Sequence, residues 1–139
     1  MIDADVVARK LLSLNDALRE LQRPAAADAA QLSADAVLRA AVERWLHVAL
    51  EACIDVAFHV VAAEGWTPPQ SARASFLSLA GHGRISHDLA QRLALAASLR
   101  NVLVHGYAIV DLERIAKVVR EDLGDLRAFA AAAAQWVKT

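Results

Sequence analysis

The residues with the greatest chemical capacity sit together near position 100. Arg100-Asn-Val-Leu-Val-His105-Gly-Tyr107 sets a guanidinium, a carboxamide, an imidazole and a phenol into an otherwise apolar stretch. A guanidinium makes paired hydrogen bonds to a phosphate and stabilises the charge that builds as phosphorus becomes five-coordinate. An imidazole, with an ordinary pKa of about 6.5, takes or returns a proton near neutral pH. On a helix, Asn101 and His105 share a face, and so do Arg100 and Tyr107. Arg100 and His105 are separated by about 140° around the axis and do not stack directly. They reach one pocket if Arg100 folds its stem across, if the helix distorts near Gly106, or if two copies of the helix meet at a dimer axis. A purely structural reading stands beside this one. Arg and His near a helix C-terminus suit its dipole, and Tyr107, the single tyrosine, can plug the end of a bundle.

A second set lies upstream. Glu51, Asp55 and His59 recur at four-residue intervals on one drifting helical face. One of these carboxylates can pair with Arg100 across a bundle and hold it for phosphate; equally, the three can form a network that satisfies polar groups in the core. No Glu has a His three residues later, so the pair used by di-iron bundles is missing and no metal site is expected. Cys53, alone, supports neither an internal disulfide nor a Cys-based zinc site and reads as a small buried apolar residue. His82 and His87, flanking Gly83, are expected in solvent, and Trp45 and Trp136 as core or dimer contacts.

Helices must position these groups. Val7, Leu11, Leu14, Leu18 and Leu21 mark an amphipathic helix that stops near Arg23-Pro24. The alanine-rich residues 25–32 read as a loosely packed connector. Ser33 is the expected N-cap of a helix uninterrupted until Gly65, about 31 residues or roughly 46 Å long. Pro68-Pro69 force an extended turn before a short helix over 71–79. Ser86 caps the helix carrying the Arg100 motif, which runs to about His105, where Gly106 takes a left-handed C-cap. Asp111 is the expected cap of the last helix, with Leu112, Ile115, Val119, Leu126, Phe129, Ala133 and Trp136 on one stripe. Asp122 interrupts that stripe and marks a place where its register shifts. Nothing alternates with period two long enough for a strand. The expected fold is all-α: one domain over 1–139, an antiparallel bundle of four main helices plus a short one.

Composition narrows the function further. Lys plus Arg is 15 against 16 for Asp plus Glu, a net charge of -1, which argues against a protein that coats nucleic acid by bulk charge. Twelve of the basic residues are Arg, so a grip on RNA would come from scattered guanidinium groups, with Arg84, Arg92 and Arg114 flanking the motif. Apolar residues reach 57%, more than such a chain needs for its own core, which points to a symmetric dimer. The N-terminus has no signal-peptide pattern, and no uninterrupted apolar run approaches a membrane span. A cytoplasmic location without a membrane partner is the expectation.

The pattern Arg-x4-His-x-Tyr at Arg100, His105 and Tyr107, with Asp111 shortly after, resembles the HEPN domain in its HepT-like form. The likeness extends over about residues 35–135: an Arg-rich start to the long helix, Glu51-Ala-Cys-Ile-Asp55-Val-Ala-Phe-His59, the Gly65 and Pro69 turn, a helix ending near Leu79, and the Gly83-Arg-Ile-Ser86 entry to the motif helix. The resemblance implies a homodimeric, metal-independent endoribonuclease without a cofactor, acting as the toxin of a prokaryotic toxin–antitoxin pair. It makes Arg100 and His105 the catalytic pair on RNA, with Asn101 positioning; Glu51 and Asp55, from their place on the long helix, are the candidates to support Arg100. Attack by the neighbouring 2'-hydroxyl needs no metal, confines the reaction to RNA and leaves a 2',3'-cyclic phosphate. The resemblance also implies an MntA-like nucleotidyltransferase antitoxin that silences the toxin by placing AMP on Tyr107. The alternative is a non-catalytic helical module that binds the nucleotidyltransferase.

Overall fold

Val7, Leu14, Leu18 and Leu21 are all buried, and their stripe is what docks the first helix, α1 (Ala4–Leu21). Asp3 caps it, its carboxylate accepting from the amides of Asp5 and Val6. The computed structural model describes residues 1–23, 27–105 and 109–137, with the side chains of 104, 105, 109 and 110 outside that description. The expected stop at Pro24 and the left-handed cap at Gly106 fall outside the described residues. α1 ends at Leu21, just before them.

The stretch expected as a loose connector folds further than that. Asp28 and Gln31 cap each other's backbone amides, and Leu32 is buried, so residues Ala29–Ala34 form a short helix, α2. Ser33 therefore does not cap the long helix. Asp35 does, accepting from the Leu38 amide at 3.0 Å, and α3 runs Ala36–Ala63. Two glycines then do the same job. After α3, Gly65 (φ 73°) lets its own amide reach Ala62 O and the Trp66 amide reach Val61 O. After α4 (Ala72–Gly81, capped by Ser71), Gly83 (φ 76°) brings its amide to Ala80 O and the Arg84 amide to Leu79 O. Both are Schellman closures, which need a residue at ease with positive φ.

The motif helix, expected unbroken to His105, is two helices: α5 (His87–Ala97, capped by Ser86) and α6 (Leu99–His105). At the break between them, the Ser98 hydroxyl donates back to Leu95 O at 2.5 Å, a side-chain bond of the kind that perturbs a helix. The last segment also departs from one regular helix. α7 spans Ile109–Lys117, so Asp111 lies in its first turn and is not the N-cap. A π-helical turn, Val118–Asp122, precedes α8 (Leu123–Trp136). Regular spacing would aim Asp122 into the core. The wide turn buries Leu123 in its place and leaves Asp122 at the margin.

α1 packs along α3, α4 against α5 and α3, and α8 against α1, α3 and α5, while α2 rests on α7. The fold is the expected all-α antiparallel bundle, with α2 added. Phe76, Phe129 and Trp136 meet edge to face, at centroid separations of 5.7 and 5.8 Å. His82 is exposed, as expected, but stacks on Trp66 at 3.7 Å, and Arg84 lies over both Trp66 and Trp136. Trp45 is half-buried against the core. α3 is long and apolar enough to cross a membrane by length and composition, but 56% of that window is buried inside the bundle. Cys53 is buried on α3, and burial pushes its thiol pKa upward.

Candidate active site

Leu99 is fully buried and anchors the start of α6, which packs against α3. The next residue, Arg100, therefore emerges at the α3–α6 junction. Its Nη1 donates to Glu51 Oε1 at 3.2 Å, and the two side chains are 35% and 33% exposed. The guanidinium is thus steered by one carboxylate without being sealed from solvent. It carries five N–H donors, and this contact engages a single nitrogen, so the fork keeps capacity for an anion.

Of the two carboxylates expected to support Arg100, Glu51 reaches it and Asp55 does not. Asp55 lies one helical turn farther along α3 and pairs instead with Lys10 of α1 at 2.9 Å. His59, a further turn on, accepts from the Asp3 amide at 3.0 Å and so belongs to the start of α1. The repeated spacing of Glu51, Asp55 and His59 holds, yet each member serves a different neighbour.

Asn101 is exposed on α6. The backbone of α6 stays α-helical through His105, so positions 100 and 105 keep the offset of about 140° expected of a regular helix. The His105 side chain and Tyr107 lie outside the described residues.

Arg114 on α7 reaches the α5–α6 break. Its Nη2 donates to Leu95 O at 3.0 Å and also to the Ser98 hydroxyl. The sequence shows Arg114 only as one flanking cation, because nothing local ties it to Ser98. Lys10 likewise gave no signal of its own. Two clefts that share Arg44 and His47 lie along α3, and Glu51 lines the first of them. One, of about 360 Å³, is lined by Lys10, Arg44, His47, Glu51 and Asp55 among others. The other, of about 310 Å³, is lined by Glu43, Arg44, His47 and, from α6, Leu103. Among the described residues, no three His, Cys, Asp or Glu side chains gather as a metal-binding group.

The chain is similar to known proteins over most of its length. The chain is 31% identical to the mRNA nuclease HepT of Shewanella oneidensis over 125 residues, which covers 90% of this chain and 93% of the relative. The structure superposes on a tri-AMPylated HEPN toxin of the same organism, in complex with its MNT antitoxin. The TM-score is 0.85 at 29% identity, covering 96% of this chain and 99% of the other. A toxin–antitoxin structure with AMP-PNP gives a TM-score of 0.83 at 29% identity, covering 94% and 99%. The family model for HepT-like ribonucleases matches residues 14–133, and the chain belongs to that family.

Proposed function

We propose that this protein is a metal-independent endoribonuclease toxin that cuts RNA with Arg100 and His105. The observation that carries the proposal is the half-exposed Arg100, held by Glu51 at the α3–α6 junction within the family's motif. In the reaction, the 2'-hydroxyl oxygen attacks the adjacent phosphorus, its proton passes to an imidazole, and the 5'-oxygen leaves with a proton returned to it. The products are a 2',3'-cyclic phosphate and a 5'-hydroxyl. Arg100 binds the phosphate oxygens as charge builds on them, and Asn101, exposed beside it, orients the substrate. Glu51 holds the fork in place. Asp55, tied to Lys10, acts at most through α3.

The regular backbone of α6 favours a composite site. One short straight helix sets positions 100 and 105 on different faces, so two protomers with facing α6 helices bring an Arg100 and a His105 to one phosphodiester. The active form is then a homodimer working on cytoplasmic RNA. Silencing follows by group transfer: the Tyr107 hydroxyl attacks the α-phosphate of ATP on a partner nucleotidyltransferase, forming tyrosyl-AMP and releasing pyrophosphate. The likeness to an AMPylated HEPN toxin bound to its MNT antitoxin supports this step. A phosphate beside Arg100 would occupy the cation and block the cleft.

Expression in a bacterial host tests the reading. The parent is expected to arrest growth, and Arg100→Ala and His105→Ala are expected to relieve the arrest while remaining folded. Purified parent is expected to cut RNA in the presence of EDTA and to leave cyclic phosphate ends. Variants as toxic as the parent, or cutting that EDTA abolishes, would overturn it.

A further inference from the structure

The cleft lined by Glu51, the partner of Arg100, holds a cation that the cleavage step does not use. Arg44 and His47 line both clefts. They sit three residues apart on α3, with Glu51 four residues beyond, so all three share the face that carries the partner of Arg100. Each acid bordering the clefts already has its own cation: Glu43 faces Arg39 at 3.7 Å, Asp55 faces Lys10 at 2.9 Å, and Glu51 faces Arg100 at 3.2 Å. Arg44 is exposed and makes no ion pair or hydrogen bond with any described residue. Its charge is therefore surplus where it lines a cleft whose wall includes Leu103 of α6. Along α3, the Arg44 backbone stands about 10 Å from that of Glu51, a spacing that suits a phosphate next along the strand.

We infer that Arg44, with His47 beside it, is a second phosphate-binding arm that grips the RNA strand next to the cleavage site on the same protomer. The inference rests on the ribonuclease reading above. It assigns Arg44 to substrate binding alone: a guanidinium fork on a backbone phosphate tracks the strand without reading its sequence.

The test uses the full-length protein silenced by His105→Ala and a short fluorescent single-stranded RNA, titrated at several salt concentrations. Adding Arg44→Ala is expected to weaken binding roughly tenfold at low salt, equally for unrelated sequences. The slope of log K against log salt should become shallower by about 0.7, the value for one lost single-strand phosphate contact. Arg44→Lys should restore most of that slope. In the active protein, Arg44→Ala should raise KM with little change in kcat. An unchanged slope and KM in an Arg44→Ala protein whose parent cuts RNA would overturn the inference alone. So would loss of the dimer in light scattering, which would make Arg44 an interface residue. A parent that neither binds nor cuts RNA would overturn the ribonuclease reading together with this arm.

Discussion

Replacing Arg114 by Ala asks whether the break between α5 and α6 is what aims Arg100. Leu95 O accepts from the Ser98 amide at 3.2 Å, from the Ser98 hydroxyl at 2.5 Å and from Arg114 Nη2 at 3.0 Å. Arg114 also reaches the Ser98 hydroxyl, so one guanidinium ties α7 to the last turn of α5 and to the break itself. Truncation removes this charge-assisted donor but leaves the carbonyl with its two Ser98 bonds, so no buried group is orphaned. The contact is exposed to solvent, which places the loss near 1 kcal/mol and not at the upper end for charged hydrogen bonds. For a chain of this length that lowers Tm by about 3–4 °C. With a total stability of about 5–15 kcal/mol, nearly every molecule stays folded at 25 °C. A fall in turnover at that temperature therefore reports geometry and not unfolding. Arg100 follows Ser98 by two residues, and small misplacements of a catalytic group cost up to about a hundredfold. A tenfold or greater fall in kcat is expected, with Arg114→Lys intermediate because an ammonium cannot fork. Calorimetry and single-turnover RNA cleavage measure the two effects. Parental Tm together with parental kcat in Arg114→Ala would refute the argument.

Glu51→Gln should lower stability by less than about 1 kcal/mol, since the pair is half-exposed. Cleavage should fall about tenfold as Arg100 loses its guide, and denaturant melts beside kinetics separate the two. Native Cys53 should stay unmodified by a thiol reagent until denaturant is added, because the buried thiol is held protonated; rapid labelling of folded protein would contradict its burial. Phe129→Ala, which removes the ring shared by Phe76 and Trp136, should cost about 3–5 kcal/mol in urea unfolding. Burial raises the Glu43 carboxyl pKa despite the Arg39 charge, so its ionisation opposes folding as pH rises above the ordinary carboxylate range. Glu43→Gln should therefore gain up to about 0.5 kcal/mol at pH 7, with the gain vanishing in acid; a gain that persists in acid would point elsewhere.

What could be read from the chain depended on how local each cause was. The Ser86 cap and the closing Gly65 act within a few residues, and both stand where their chemistry places them. The partner of Arg100 was narrowed to one face of α3 by the spacing of Glu51, Asp55 and His59. Choosing among them required knowing where α6 crosses α3, which no local pattern carries. Asp28 and Asp35, each as good a cap as Ser33, divided a connector into α2 and the start of α3. The break at Ser98 is reached by Arg114, sixteen residues away, which no local pattern reveals. The π-helical turn was visible only as a flaw in the stripe at Asp122, and its form depended on which neighbour, Leu123, the core could take.

Those two irregularities face each other. A cleft of about 220 Å³ is lined by Leu95 and Ala96 before the break and by Val118 and Asp122 of the π-helical turn. Arg92–Asp125 at 3.0 Å and Arg114–Leu95 O at 3.0 Å cross-link the two segments around it. Had residues 87–105 formed one straight helix, the direction of α5 would dictate where Arg100 emerges. α6 packs on α3, where Arg100 meets Glu51, while the widened turn keeps Leu123 in the core and Asp122 at its margin. Arg114 therefore donates across the first departure from regular helix while Arg92 and Asp125 span the cleft toward the second, and the two segments are held together by cations of one and the backbone or acid of the other.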